Sequence, residues 1–180
     1  MDTSEFYENL GGGRRAEMYA SRWLKLQWDK VEDIWKSESA DGKGPRYKGH
    51  VLPDFRVSNG NEQRLIECKL KTIFTYYRKT GYWQEGINLP YWEDYREVSR
   101  LMGIPLDLFF INSDKTLPER GAPPVPEAGI YMRDVGILQA GFSAGRGHTW
   151  EKKMIYWNLD LFKWFDPFPP ALLDVQITNN

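Results

Sequence analysis

Two carboxylates and a lysine within residues 51–71 have the types and the spacing for metal-assisted chemistry. Asp54 lies before an Asn59-Gly60 pair, and Glu67 and Lys69 lie after it. Carboxylate oxygens are the ligands that Mg²⁺ accepts, and a lysine two residues beyond Glu67 can hold a water or a phosphate oxygen beside that metal. If the chain brings these side chains together, they predict metal-assisted hydrolysis of a phosphodiester.

The Asn59-Gly60 pair predicts a hairpin that would bring them together. Asn-Gly between apolar-rich runs indicates a two-residue turn, because both central residues must tolerate positive φ. Counted outward from this turn, His50 falls opposite Lys69, and Asp54 becomes a diagonal neighbour of Glu67 at a Cα separation of about 7–8 Å. Paired residues share a face and side chains alternate along a strand, so these four side chains are predicted on one face of the hairpin.

The short motif also has a plainer interpretation. Asp54 and Lys69 can form a surface ion pair that contributes little to stability, and Glu-x-Lys occurs in many unrelated proteins. His50 either assists a proton transfer or binds phosphate, or it is a hydrogen-bonded sheet residue. The order of the surrounding elements favours the catalytic interpretation.

Those elements predict a mixed α/β chain. Apolar residues recur with helical spacing over residues 13–28, and Glu17 lies at the edge of the stripe, either solvated or as a third acid aimed at the site. Asn88 and Pro90 begin a second helix, which Gly103 ends. The other predicted strands cover residues 31–36, 106–111, 129–138 and 152–158, with loops or irregular segments at 37–49, 72–88 and 115–127 and a short aromatic segment at 161–165.

Composition limits the class of protein. The chain has 180 residues, 41% of them hydrophobic, and a net charge of -1, which predicts one globular domain over 1–180 with a core at about 13–113 and a C-terminal β extension at about 128–168. No apolar run approaches the ~20 residues of a membrane span, and the N-terminus lacks the order of a signal peptide, so a cytoplasmic location without membrane association is predicted. Cys68 is the single cysteine, which excludes an internal disulfide and a multi-cysteine metal site.

The order helix, three strands, helix, strand, with acids at these places, resembles the PD-(D/E)xK nuclease superfamily. The matching residues are Pro53-Asp54, Glu67-Cys68-Lys69 and Glu17, within a stretch of roughly 13–113. The resemblance implies a restriction-endonuclease-like αβββαβ core, an α+β mixed sheet, here with appended C-terminal β-strands. It also implies Mg²⁺-dependent cleavage of DNA, with Mn²⁺ as a substitute.

The resemblance assigns roles position by position. Asp54 and Glu67 correspond to the metal ligands, assisted by the backbone carbonyl of Cys68, and Lys69 to the lysine that orients the attacking water. Glu17 corresponds to the helix acid of the resolvase and exonuclease branches, which adds to the metal site. The RecB-like branch carries Gln-x-x-x-Tyr on the next helix; residues 91–95 read Tyr-Trp-Glu-Asp-Tyr, so the tyrosine matches and the glutamine is absent.

Basic and aromatic residues near the motif are the predicted contacts to nucleic acid. They are Arg14, Arg15, Arg46, Lys48, Lys71, Tyr77, Arg78, Lys79 and Tyr95. The aromatic residues Tyr76, Tyr77, Tyr82 and Trp83 either stack on bases or fold over the core. His148, with Arg146, either touches a backbone phosphate or is solvated.

The resemblance implies a deoxyribonuclease, either structure-specific like a Holliday junction resolvase or an exonuclease, encoded by a cell or by a phage acting in the host cytoplasm. A nuclease fold that has lost catalysis and only binds nucleic acid or other subunits is the alternative. In a third reading the hairpin is coincidental, which predicts Asp54 and Glu67 on different faces. A resolvase-like action also points to a homodimer, and an apolar cluster is either its interface or core: Trp157, Phe162, Trp164, Phe165 and Phe168.

Overall fold

The computed structural model describes residues 3–35, 44–112, 115–151 and 153–167, with side chains of the first helix from Gly13 onward. Its helices are α1 (Thr3–Gln27), α2 (Leu89–Met102) and α3 (Val135–Ser143), and a 3₁₀ turn covers Leu159–Leu161. The strands are β1 (Lys30–Asp33), β2 (Arg46–Tyr47), β3 (His50–Val51), β4 (Phe55–Asn59), β5 (Glu62–Lys71), β6 (Thr75–Tyr77), β7 (Tyr82–Asn88), β8 (Leu106–Asn112), β9 (Gly129–Asp134), β10 (Gly147–Trp150), β11 (Met154–Asn158) and β12 (Lys163–Pro167). No helix within these ranges is long and apolar enough to cross a membrane.

The main sheet confirms the predicted fold class. Its six strands lie in the order β1-β4-β5-β8-β9-β12. Strands β5 and β8 are parallel, and the other neighbours are antiparallel. Along the chain α1, β1, β4, β5, α2 and β8 follow the αβββαβ order of a restriction-endonuclease-like core. The appended strands β9 and β12 continue the same sheet beyond β8.

The two faces of this sheet bury two separate apolar clusters. Helix α1 covers one face, where Ala20 and Trp23 lie in the same cluster as Ile66 and Phe109. The other face is covered by α2, α3 and a second sheet. Strand β8 is therefore buried at every residue, as its nearly continuous apolar run predicted.

The second sheet corrects the prediction that residues 72–88 are irregular. Its four antiparallel strands lie in the order β10-β11-β7-β6. Trp83 and Ile87 point inward from β7 into the core beside Trp157 of β11. Because β7 pairs with a strand from the far end of the chain, local sequence carries little sign of that pairing.

Helix α3 replaces the second half of the strand predicted at 129–138. Strand β9 ends at Asp134, whose carboxylate accepts hydrogen bonds from the N–H groups of Gly136 and Ile137 at 2.8 and 3.2 Å. This N-cap starts a helix in an apolar run that shows no clear period. Gly141 lets the helix pack closely, since a Cβ there would lie 2.6 Å from Leu161 Cδ1.

Other element boundaries also differ. Helix α1 begins at Thr3 rather than at Gly13. It therefore continues through the three consecutive glycines that end at Gly13, despite the low helix propensity of glycine. Strand β1 ends at Asp33, three residues before the predicted end.

The apolar cluster predicted as an interface or core is divided by the fold. Trp157 and Phe162 belong to the core. Trp164 and Phe165 of β12 are exposed, and Phe168 lies outside the described residues.

Candidate active site

The hairpin that carries the motif turns one residue later than predicted. Asn59 pairs with Glu62, so the loop consists of Gly60, with φ 53°, and Asn61. The side chain of Asn59 bonds instead to the end of α1, where its Nδ2 donates to the carbonyl of Gln27 at 3.1 Å. A turn displaced by one residue gives each strand residue a partner two positions away from the predicted one. Because side chains alternate with a period of two, each paired residue still lies on its predicted face.

Within the described ranges, strand β5 has no pairing partner on its β4 side at the motif. Phe55 and Ile66 form the last pair between β4 and β5, whereas β5 continues beside β8 as far as Lys71. Asp54 occupies the first position at the open edge, where its Oδ2 accepts a hydrogen bond from the N–H of Cys68 at 2.8 Å. The N–H and C=O of one strand residue point to the same side, so the carbonyl of Cys68 also points to this edge, next to the Asp54 carboxylate.

His50 does not lie opposite the motif lysine, which corrects the turn count. The chain bends at Asp54, whose carbonyl accepts a hydrogen bond from the N–H of Ile34 at 2.9 Å. His50 belongs to β3, pairs with Tyr47, and bonds through Nδ1 to Asp94 Oδ1 of α2 at 2.8 Å. Because β4 starts only at residue 55, the predicted pairs further back do not form.

Helix α2 contacts two side chains of the motif, Glu67 and Lys69, through its tyrosines. Glu67 is 2% exposed, forms an ion pair with Lys69 and is hydrogen-bonded to the hydroxyl of Tyr95. The Nζ of Lys69 lies 5.6 Å from the centre of the Tyr91 ring. Burial alone would lower the pKa of Lys69, but the charges of Glu67 and Asp54 outweigh burial and raise it. Lys69 is therefore a charged donor at neutral pH.

Negative charge in the site exceeds the compensation that the chain supplies. Burial first, and then the charge of Glu67, raise the pKa of Asp54 well above its ordinary value, although Lys69 and the N–H of Cys68 act in the opposite direction. Partial burial, followed by the charges of Asp33 and Glu67, likewise raises the pKa of Glu17 on α1. The acids are thus close enough to repel one another, and a bound cation would relieve that repulsion.

The donors at this edge fit a hard divalent cation. They are the carboxylates of Asp54 and Glu67 and the carbonyl of Cys68, all of them oxygens. Within the described residues, no group of three or more His, Cys, Asp and Glu side chains could hold a metal. Mg²⁺ commonly uses one or two carboxylates and keeps several waters, so this set suits it, with Glu17 nearby as a further acid.

No protein-family model and no curated protein matches this sequence. The chain is similar to solved structures. Hjc, a Holliday junction resolvase from the archaeal hyperthermophile Archaeoglobus fulgidus, is 17% identical with a TM-score of 0.42, over 83% of this chain and 86% of that one. D212, a nuclease from a fusselovirus, is 13% identical with a TM-score of 0.46, over 91% of this chain and 88% of that one.

The predicted contacts to nucleic acid are spread over several elements. Arg14 lies close enough to Glu17 to lower its pKa. Tyr77 is the last residue of β6, and Arg78 and Lys79 follow it in the turn to β7. Arg15 lies on α1, Arg46 on β2, Lys48 in the β2–β3 turn and Lys71 at the end of β5.

The structure corrects the predicted role of Tyr95 as a nucleic-acid contact. Its side chain is 2% exposed, and burial followed by the charge of Glu67 raises its pKa. The hydroxyl therefore stays protonated and holds Glu67. The (i, i+4) spacing of Tyr91 and Tyr95 is the sequence signal for this arrangement, since both rings then lie on one side of α2 and stack with centroids 6.2 Å apart.

Sequence reasoning missed a buried polar group beside the motif. Glu85 of β7 is 2% exposed, and burial raises its pKa to about 8, while Lys71, the N–H of Gly86 and Asn112 lower it. Lys71 continues the row of Glu67 and Lys69 on β5, and its Nζ donates to the carbonyl of Gly86. The available signal was a glutamate at an inward position of an alternating strand.

We expect Tyr95→Phe to weaken Mn²⁺ binding or cleavage by about 10- to 100-fold, because the groups that orient metal ligands have effects of this size. Mn²⁺ affinity measured by calorimetry and cleavage rates measured on one DNA substrate check this. Tyr91→Phe is the matched control, because it keeps the ring beside Lys69 and removes only a hydroxyl. Equal effects of the two substitutions would contradict the role of Tyr95.

Proposed function

We propose that this protein is a divalent-metal-dependent deoxyribonuclease that hydrolyses DNA phosphodiester bonds, with Mg²⁺ as the metal and Mn²⁺ as a substitute. The observation that carries the proposal is the meeting of Asp54, Glu67 and the Cys68 carbonyl at an unpaired strand edge, with the ammonium of Lys69 against Glu67. The acids repel one another in the metal-free chain, so this edge is suited to a cation.

Each side chain has a separate task in this proposal. Asp54, fixed by the N–H of Cys68, and Glu67, fixed by Tyr95, would hold the metal together with the Cys68 carbonyl, and Glu17 would hold its water. When bound, the metal supplies a water of lowered pKa and stabilises negative charge on the phosphate. Lys69 orients the attacking water or a phosphate oxygen by donating a hydrogen bond. Its raised pKa suits it to this task rather than to that of a general base.

The DNA is proposed to carry a structural feature such as a junction, flap or end, and a homodimer would allow two symmetric strands to be cut. The basic side chains on the helix and turns near the motif, Arg14, Arg15, Arg46 and Lys48, would contact its phosphates. A cytoplasmic location, in a cell or in a phage-infected host, is part of the same proposal.

Cleavage of labelled four-way junctions, flaps, single strands and linear duplexes in Mg²⁺, Mn²⁺ or EDTA tests the function. We expect cleavage of at least one substrate with either metal and none in EDTA. Calorimetric titration with Mn²⁺ distinguishes an active nuclease from the alternative, a nuclease fold that has lost catalysis. A chain that binds DNA but takes up no Mn²⁺ and cleaves nothing would be such a binding module.

A further inference from the structure

The outward face of the second sheet carries aromatic rings in place of aliphatic side chains. Strand alternation and register put five of them on this face, away from the core. They are Tyr77 of β6, Tyr82 of β7, His148 and Trp150 of β10, and Tyr156 of β11. We call this set the outer aromatic face.

Three of these rings form a continuous stack. Tyr77 and His148 lie with centroids 4.0 Å apart and planes 14° apart. His148 and Tyr156 lie 5.4 Å and 16° apart. Gly86 makes this packing possible, because a Cβ there would lie 2.5 Å from Tyr156 Cδ1. Rings from the two edge strands can therefore meet over the middle of the sheet.

The remaining two rings are left largely in solvent. Trp150 is 54% exposed and Tyr82 is 46% exposed, although both types usually bury most of their rings. The half-buried stack and these two exposed rings offer flat π-surfaces at several points of one face. Exposed aromatic surface of this kind marks an interaction site.

The charge around the outer aromatic face favours an anionic partner. Arg78 and Arg146 are engaged by Glu119 and Asp160. Lys79 has no ion pair with any residue in the described ranges, and its charge is close enough, after burial, to help lower the pKa of His148. The stack thus has a neutral imidazole at its centre, and at its side lies an ammonium without an ion-pair partner in the described part of the chain.

From these features we propose that the outer aromatic face binds unpaired bases of a single-stranded nucleic-acid segment, with Lys79 against its phosphates. Bases stack on aromatic rings with little regard to sequence, and four-stranded sheets that expose aromatics on one face bind single strands in this way. A protein partner is less well suited, because the outward positions are aromatic or polar, with Met154 as the one aliphatic-like side chain among those described. Paired bases are already stacked, so duplex DNA should not use this face.

The location relates this face to the candidate active site. The inner side of the same sheet carries Glu85, which neighbours Lys71 in the row of Glu67 and Lys69. A strand on the outer side would lie about one layer of structure, roughly 10 Å, from that row. The choice of nucleic acid as the ligand of this face rests on the proposed nuclease function. If the face binds single strands, the substrate of that nuclease is DNA with a single-stranded arm.

Fluorescence anisotropy with a labelled 20-nucleotide oligo-dT and a 20-base-pair duplex, both in EDTA, tests the proposal without metal or cleavage. We expect Trp150→Ala and Tyr82→Ala each to weaken oligo-dT binding by about 5- to 150-fold, the range known for single base–aromatic stacks. Trp150→Phe should retain most of the affinity. Binding to the duplex should change less than about twofold in each variant, given the phosphate contacts it relies on.

Trp164→Ala is the matched control, since Trp164 is 42% exposed on the main sheet and should leave oligo-dT binding unchanged. Thermal melting of every variant checks that the fold is retained. Unaltered oligo-dT affinity in Trp150→Ala and Tyr82→Ala would overturn the proposal. The proposal would also be overturned if these two variants lost self-association, measured by sedimentation, while their DNA binding was unchanged. These binding assays contain EDTA and involve no cleavage, so either contradicting outcome would leave the nuclease proposal untouched. Conversely, absence of cleavage in the nuclease assay would not change the result of the binding assay.

Discussion

Asp54→Asn and Glu67→Gln are each expected to reduce Mg²⁺-dependent DNA cleavage by about a thousandfold. Each substitution removes a charged oxygen ligand, and metal ions contribute several kcal/mol of transition-state stabilisation, with every 1.36 kcal/mol worth a factor of ten in rate. Asn and Gln keep a carbonyl oxygen, so Asp54→Asn can still accept the hydrogen bond from Cys68. The loss should therefore come from charge and metal binding rather than from misfolding.

Two measurements and two further variants make this prediction specific. Single-turnover cleavage rates give the size of the loss, and Mn²⁺ calorimetry should show weaker uptake in both variants. Glu62→Gln on the same strand is the matched control, because Glu62 is exposed and pairs with Arg64 away from the motif. Lys69→Met should lose cleavage but retain Mn²⁺ uptake, since an ammonium is not a ligand. Wild-type rates in both carboxylate variants would refute the proposed site.

Lys71→Met is expected to destabilise the protein by about 1.4 kcal/mol at pH 9 and to leave it close to wild type at pH 6. The variant should lose about 1.36 kcal/mol more than wild type for each pH unit above 8, because its folded chain keeps a proton on Glu85 that the wild type releases. Burial raises the pKa of Glu85 from an ordinary 4.5 to about 8, and the charge of Lys71 lowers it. Without Lys71, Glu85 should hold its proton to still higher pH.

The sign of the pH dependence follows from this raised pKa. Between about pH 4.5 and pH 8 the folded chain holds a proton on Glu85 that the unfolded chain has released. The stability that Glu85 contributes is thus present at low pH and is lost as the pH rises through 8. Lys71→Met extends the loss above pH 8, where the variant should fall furthest below wild type.

Urea unfolding at pH 6, 7, 8 and 9 measures this effect. The double variant Lys71→Met with Glu85→Gln should recover most of the stability at pH 9, because no buried charge then remains. Lys79→Met is the matched control, since Lys79 is exposed and should show no such dependence. A deficit of the same size at pH 6 and pH 9 would mean that packing, and not the charge of Glu85, is responsible.

The sequence allowed the faces of the motif to be predicted even though the turn was misplaced. Strand alternation has a period of two, so a turn displaced by one residue leaves each paired residue on its predicted face, and Asp54 lies next to the last pair, Phe55 with Ile66. Helix α2 was also predictable, from Pro90 at its start and Gly103 at its end, where φ is 67°. Helix α3 was not, because a single Asp134 N-cap divides an apolar run that has no period of its own.

The amino-acid sequence by itself determined which chemical groups are available: two carboxylates and a lysine in and beside one hairpin, within an αβββαβ order of elements. The tertiary structure alone decided that β4 stops at residue 55, which leaves the edge of β5 open and turns the Asp54 carboxylate toward the backbone of Cys68. It also decided that Tyr95 and Glu85 lie against the row on β5, and that aromatic rings from distant strands stack together. These features depend on contacts between segments far apart in the chain, whose pairing is set by the packing of the whole core, whereas periodicity and turn chemistry act over a few residues.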